Sequence, residues 1–278
     1  MKPKTIPKKT NAIKDSLFLK SFKLAKSSPN KTGLMILFDG LFFILFFYIL
    51  PILNRYISQN LIIAPIKFTS NSAFIIFVLI TTLLKLVYYL IVLFIYSFFK
   101  YSILDFVKSL FENTEFSFKR LGQFYSLNII IAGIFFAVMM LLNFILASIQ
   151  QSYAPFVFII LAVPYVLFLY VIINTSHSLF YEGDSIKNTI KKGFRMAFTK
   201  IKSYRETILI IVLFALALWL LFFGSGYSIQ FIASKNYNLY LNTYAYFKQV
   251  SIIVFDIVVY LVILINRISF YSVVKEDR

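Results

Sequence analysis

The chain has 278 residues, of which 60% are hydrophobic, and its formal net charge at pH 7 is +17. Its mean hydropathy of +0.83 is far above that of a soluble globular domain. It contains no cysteine, which excludes disulfides, thiolate chemistry and cysteine-ligated metals.

Six apolar stretches are long enough to cross about 30 Å of hydrocarbon. In lipid every backbone N–H and C=O group must be hydrogen-bonded within the segment, so helices are expected, and the short alternating pattern of a β-barrel does not occur. We predict an all-α, polytopic membrane fold, with a basic cytoplasmic tail at residues 1–32 that carries an amphipathic helix and a single six-span membrane domain at residues 33–278. The predicted spans are residues 34–53, 73–97, 126–147, 154–176, 207–227 and 249–270.

The segments around the spans refine this prediction. Residues 1–32 are basic and polar, so we expect no cleaved signal and an uncleaved first span. Pro51 and Pro164 lie at or inside spans, where helices buried in lipid tolerate proline. The linker from Ser148 to Tyr153 is short, which predicts a tight hairpin between spans 3 and 4.

Positive charge is distributed unequally between the two sides of the predicted membrane domain. Nine lysines precede span 1, four and seven cations follow spans 2 and 4, and three lie at the end of span 6 and in the tail after it. The other side has only Arg55, Lys67, Lys235 and Lys248. Because positive residues stay in the cytoplasm, we expect a multi-pass protein of the cell membrane with both termini cytoplasmic. The charge follows membrane sidedness and not one compact patch, so we expect no nucleic-acid partner.

The predicted outer segment at residues 224–248 is rich in tyrosine. Tyrosine at the headgroup level keeps its hydroxyl in water and its ring in lipid, which indicates an aromatic belt. A tyrosine-lined binding surface is the alternative. The residues are Tyr227, Tyr237, Tyr240, Tyr244 and Tyr246.

Residues 185–205 fit an amphipathic helix that lies in the inner membrane interface. Apolar residues recur every three or four positions, from Ile186 through Ile190 and Phe194 to Tyr204, and Asp184 or Ser185 can cap its start. The cations fall mostly off this stripe, so we expect them to face the anionic lipid of the inner leaflet or a membrane or cytoplasmic protein partner. The residues expected to face anionic lipid are Lys187, Lys191, Lys192, Arg195 and Lys202.

A short pattern recurs ahead of the odd-numbered spans. A small residue, a phenylalanine and a cation begin at Ser21, at Ser117 and at Gly193. We infer a threefold repeat of an interfacial helix, an outward span and a return span, with every unit starting on the inner side.

A resemblance is carried by LFYEGDSI at residues 179–186 and IKKGF at residues 190–194. The segment resembles a group of uncharacterised prokaryotic six-span membrane proteins that is similar to the glycerophosphodiester phosphodiesterase membrane domain. The resemblance covers this segment into span 5 and implies the six-span architecture, but not the phosphodiesterase activity. Gly193 stands where that group has a serine, whereas Ser21 and Ser117 keep the serine in the other two repeats.

Ionisable residues inside spans are costly and are therefore candidates for function. At about 1.5 Å per residue, Lys85 and Asp256 lie about 18 and 21 Å from the inner ends of their helices, so we predict a pair near the midplane. The pair would act as a structural lock or as a polar layer in a transport path. Asp39, only about 8 Å deep, is expected to reach water or an inner lysine, and Asn143 and Asn174 are expected to form interhelical hydrogen bonds.

Catalytic signals are weak in this sequence. His177 is the only histidine, so no catalytic residue, metal site or cofactor is expected, and His177 is interpreted as an interfacial polar residue. We expect a non-enzymatic scaffold or lipid-organising membrane domain. A small transporter or channel that uses Lys85 and Asp256 is the alternative.

The sidedness is directly testable because the chain contains no cysteine. A single cysteine introduced as Lys192→Cys should react with a membrane-impermeant maleimide only after the cells are opened, since the cationic segment should stay inside. Labelling of Lys192→Cys in intact cells would overturn the predicted orientation.

Overall fold

A computed structural model describes residues 16–59, 71–233 and 237–276, and within these ranges the regular structure is entirely helical. The side chains of residues 203, 232, 233, 237, 239 and 240 lie outside the description. The helices are α1 (Leu17–Ser27), α2 (Pro29–Ile57), α3 (Asn71–Ser109), α4 (Phe118–Ala147), α5 (Ala154–Tyr181), α6 (Ile186–Thr199), α7 (Ile201–Ala233) and α8 (Tyr237–Glu276).

The helices α2, α3, α4, α5, α7 and α8 are long and apolar enough to cross a membrane, and each contains one predicted span. Their apolar side chains are largely uncovered by protein; Phe136, Leu141 and Phe144 of α4 are 67%, 65% and 74% exposed. Apolar surface this extensive is not sustained in water and requires lipid to cover it. The predicted all-α polytopic membrane fold is confirmed.

The chain divides into two compact units. The central unit comprises residues 28–197, with α2 to α5 and most of α6, and the described part of the terminal unit comprises residues 16–27, 198–233 and 237–276. The amphipathic helix of the predicted tail, α1, therefore groups with α7 and α8.

Tyrosine hydroxyls join successive helices of the central unit. The chain has no GxxxG sequence for close backbone contact, so the helices need other links. In three cases a tyrosine donates to a backbone carbonyl of the preceding helix, which places a hydrogen bond inside an otherwise apolar contact. These bonds run from Tyr88 to Leu50 (3.2 Å), from Tyr125 to Leu90 (3.1 Å) and from Tyr165 to Phe135 (2.9 Å).

Proline is accommodated within two of these helices. In α2 the turn Leu45–Ile49 is π-helical, and the Leu50 N–H donates to the Leu45 carbonyl just before Pro51. Pro51 has no N–H to donate, and the wider turn beside it lets the helix continue. Helix α5 likewise continues through Pro164. The linker from Ser148 to Tyr153 joins α4 to α5, which confirms the predicted hairpin.

In the terminal unit α1 packs against α7 and α8 through polar contacts. The Glu206 carboxylate of α7 accepts the Ser16 hydroxyl (2.5 Å) and the Leu17 N–H (3.3 Å) at the start of α1, where a helix favours negative charge. On the α8 side, the Ser269 hydroxyl donates to the Ser21 hydroxyl over 2.9 Å. These bonds fix the buried face of α1.

Two of the three sites of the repeat pattern lie in short helices, α1 and α6, and the threefold repeat itself stays a prediction. In both helices the small residue of the pattern and an alanine four positions later are buried, namely Ser21 with Ala25 and Gly193 with Ala197. In the second repeat the pattern forms no separate helix within the described residues. There Ser117 accepts the Arg120 N–H (3.4 Å) as the N-cap of α4, because α3 extends to Ser109 and leaves too few residues for a further helix.

Candidate functional site

A chain of three buried polar residues crosses the central unit, one from each of α3, α4 and α5. We call Ser97, Asn128 and His177 the polar triad; their exposed fractions are 0%, 3% and 0%. The Asn128 side-chain amide donates to the Ser97 hydroxyl over 2.9 Å, and the Asn128 side-chain oxygen lies 2.7 Å from Nε2 of His177. The triad links three membrane-length helices by hydrogen bonds.

The bond directions fix the state of His177. The Ser97 hydroxyl donates to the Leu93 carbonyl (2.7 Å), so it must accept from Asn128. The Asn128 oxygen is then the acceptor that faces the ring, and His177 must carry its proton on Nε2. Its Nδ1 is left as a buried acceptor without a partner among the residues that the structure describes.

Aromatic rings enclose this histidine. The His177 ring lies 4.7 Å from the Phe124 ring and 6.3 Å from the Tyr96 ring, centroid to centroid. His177 is fully buried and bonded to Asn128, so it faces protein, and its predicted depth at the membrane interface stays a prediction. An enclosed imidazole without water access is suited to holding helices together rather than to exchanging protons with a substrate.

A second set of contacts ties the inner ends of α3, α4 and α5, meaning the ends that the charge distribution predicts to be cytoplasmic. The Tyr181 hydroxyl donates to Asp105, and the Lys108 ammonium lies 5.8 Å from the Tyr181 ring centre. Arg120 donates to the Phe180 carbonyl over 2.8 Å and lies 5.5 Å from the Phe180 ring centre. These cations therefore serve helix packing.

The contact between α5 and α6 is a seam of small and hydroxyl-bearing residues. A Cβ atom at Gly193 would overlap the Ser176 hydroxyl, so the glycine permits this close approach. Thr189 lies one turn earlier on the same face. The hydroxyls of Ser176 and Thr189 are both buried without a hydrogen-bond partner in the described ranges. The close approach at this seam explains why position 193 has a glycine and not the serine found in the other two repeats.

The buried face of α6 differs from the predicted apolar stripe. Thr189, Gly193 and Met196 are buried, whereas Ile190 and Phe194 are only half-buried. A small face of α6 therefore fits against Ser176, and cover of the apolar stripe by lipid or by the spans stays a prediction. The cations expected to face lipid are all exposed: Lys187, Lys191, Lys192, Arg195 and Lys202.

One of these cations is neutralised locally. The Lys192 ammonium lies 3.0 Å from the carboxylate of Asp184, which is one of the two predicted caps of α6. The remaining cations of α6, Lys187, Lys191 and Arg195, lie on the side of the helix away from the seam. They form its cationic face.

The predicted intramembrane residues lie in different places. Lys85 is exposed on α3 of the central unit and Asp256 is exposed on α8 of the terminal unit, and their pairing stays a prediction. Asp39 is only 2% exposed. It therefore does not reach water, which was one of its two expected environments.

The two predicted asparagines also differ. The Asn174 amide donates to the Tyr170 carbonyl within α5 (2.8 Å), so this hydrogen bond is not interhelical. Asn143 is exposed and lines a cavity of 120 Å³ between α4 and α5, together with Phe158 and Tyr165.

None of the three residues of the polar triad was predicted as a site residue. A signal for them is present in the sequence. Ser97 ends predicted span 2, Asn128 lies near the start of predicted span 3, and His177 directly follows predicted span 4. All three polar residues therefore lie at the predicted inner ends of their spans, at a common level where side chains of neighbouring helices can share hydrogen bonds.

The fold and the site define this chain as a helical integral membrane protein whose polar side chains link its helices. Comparison with protein-family models, curated proteins and solved structures finds no match to the chain. The resemblance to the glycerophosphodiester phosphodiesterase membrane domain therefore stays an expectation from sequence.

The triad predicts unequal effects for two asparagines of α4. Asn128→Ala removes the shared partner of Ser97 and His177 and should lower the free energy of unfolding by about 1–3 kcal/mol. The matched control Asn143→Ala removes an exposed side chain and should change it by less than about 0.5 kcal/mol. Unfolding of the purified protein in detergent measures both, and equal losses would contradict a stabilising role of the triad.

Proposed function

We propose that this chain is a non-enzymatic integral membrane protein that organises anionic lipid at the inner membrane face. The observation that supports the proposal is the arrangement of α6, which packs on its own protein through a small face and leaves its cations exposed. The polar triad supplies the frame on which α6 is held.

Three faces can be distinguished around α6. The buried line of Thr189, Gly193 and Met196 faces the protein. Beside it Ile190 and Phe194 are half-buried, and the Phe194 ring makes an edge contact with the Phe168 ring at 6.1 Å. The cationic face completes the circumference. An apolar strip flanked by cations is the surface expected of a helix at the boundary between acyl chains and anionic headgroups.

Helix α1 of the terminal unit has the same design. It buries Ser21 and Ala25 and exposes Phe22, which is 47% exposed. Its lysines, Lys20 and Lys23 among them, are exposed. Both α1 and α6 bury a pair of small residues. Next to its cations, α1 exposes a phenylalanine and α6 has a half-buried one. This common arrangement favours a shared role in lipid contact.

The role of the cationic face of α6 in lipid binding can be tested by comparison with Lys192. The triple variant Lys187→Gln, Lys191→Gln, Arg195→Gln should lose affinity for anionic lipid, since each cation near the surface contributes about 1 kcal/mol. Phosphatidylglycerol is titrated into neutral detergent micelles, and the midpoint of thermal unfolding is recorded. The lipid concentration required to raise this midpoint should be at least about tenfold higher for the triple variant.

Lys192→Gln is the matched control, because Asp184 already neutralises this lysine. It should retain most of the lipid response. An unchanged response in the triple variant, or an equal loss in the control, would count against the proposal.

The alternative is a small transporter or channel that uses Lys85 and Asp256. Both residues are exposed on membrane-length helices, which favours this alternative. An ionisable group inside a membrane is costly, so its presence indicates a function. If this alternative is correct, Lys85→Ala should abolish ion or solute flux in proteoliposomes while the midpoint of thermal unfolding is kept. If Lys85→Ala destabilises the protein and the wild-type chain shows no flux, the result favours a structural lock between Lys85 and Asp256.

A further inference from the structure

An aromatic groove opens between α7 and α8 of the terminal unit. Its volume is 450 Å³, and its lining includes Trp219 and Phe223 of α7 and Phe247, Ser251 and Phe255 of α8. Lys248 is the one cation among its lining residues. A concave site of this size with an apolar lining and a single charged group is suited to an amphiphilic ligand.

The two helices approach closely beside this groove. At Gly226 of α7 a Cβ atom would lie 3.3 Å from the Phe247 ring and 3.9 Å from the Tyr244 ring. The absent side chain lets these rings pack against α7, and Tyr244 also lines the groove. The groove is therefore bordered by a tight helix contact, and Tyr244 belongs to a concave surface as well as to the predicted aromatic belt.

Lys248 lies between Tyr244 and Phe255, the first and last residues of α8 that line the groove. It directly precedes predicted span 6, at the level expected for lipid headgroups. Ser251 and Phe255 follow at three and seven positions along the same face of α8, so the groove runs inward from the position of Lys248 for about 10 Å. No carboxylate of the described residues forms an ion pair with Lys248. Its charge is thus open to an anion from the membrane.

We propose that this groove binds an anionic phospholipid, with the phosphate on Lys248 and an acyl chain along the aromatic lining. The charge of Lys248 and the apolar lining together match the two parts of such a lipid. The predicted sidedness places this lipid in the outer leaflet. The site lies in the terminal unit, goes beyond the proposed function and does not depend on α6.

Trp219 provides a direct probe, because it is the only tryptophan in the chain. The full chain is reconstituted in phosphatidylcholine vesicles that contain increasing fractions of phosphatidylglycerol with brominated acyl chains, and quenching of Trp219 fluorescence is recorded. Vesicles of phosphatidylcholine alone, with the same fractions of brominated chains, give the quenching due to surrounding lipid. We expect brominated phosphatidylglycerol to be preferred about fivefold, which corresponds to one cation near the surface.

Lys248→Gln should reduce this preference to the level of phosphatidylcholine. Arg55→Gln, which removes another exposed cation of the predicted outer side, is the matched control and should keep it. Absence of any preference in the wild-type chain, or an equal loss in both variants, would overturn the proposal.

The groove itself is tested by Ser251→Phe, which places a ring in the cavity and should abolish the preference while the midpoint of thermal unfolding is kept. If that variant unfolds, Ser251→Leu fills the cavity less severely and replaces it. A retained preference in the folded variant would overturn the acyl-chain position. The triple variant of α6 should leave quenching of Trp219 unchanged, so this proposal and the proposed function can fail separately.

Discussion

Inside hydrocarbon, a polar group without a hydrogen-bond partner costs several kcal/mol, and the central unit depends on meeting this requirement within the protein. Tyrosine hydroxyls from α3, α4 and α5 donate to carbonyls of the helix before. Asn128 joins Ser97 to His177. Each bond connects two helices whose apolar contacts give little preference over lipid. Polar side chains thus determine which helix faces meet.

The short helices α1 and α6 divide their residues between a buried face and an exposed face. A buried face made of Ser21 and Ala25, or of Gly193 and Ala197, brings the helix close to its neighbour without using its large side chains. Phe22 and the cations then remain exposed, as the proposed contact with lipid requires. The small residues of the repeat pattern and its cations therefore have separate roles.

The sequence was sufficient for features that depend on local composition. The six spans follow from the length of the apolar runs, and the hairpin follows from the short linker between Ser148 and Tyr153. It was insufficient where distant helices meet. Asn128 and His177 are 49 positions apart, and nothing local identifies their contact. The close approach of Gly193 to Ser176 is likewise not revealed by periodicity.

The seam between α5 and α6 has a consequence for how firmly α6 is held. Moving α6 away would expose the hydroxyls of Ser176 and Thr189 to water, which would relieve a penalty of about 1–3 kcal/mol for each unpartnered group. This gain offsets part of the apolar burial that Met196 would give up. The burial of these two hydroxyls therefore weakens the attachment of α6 to α5.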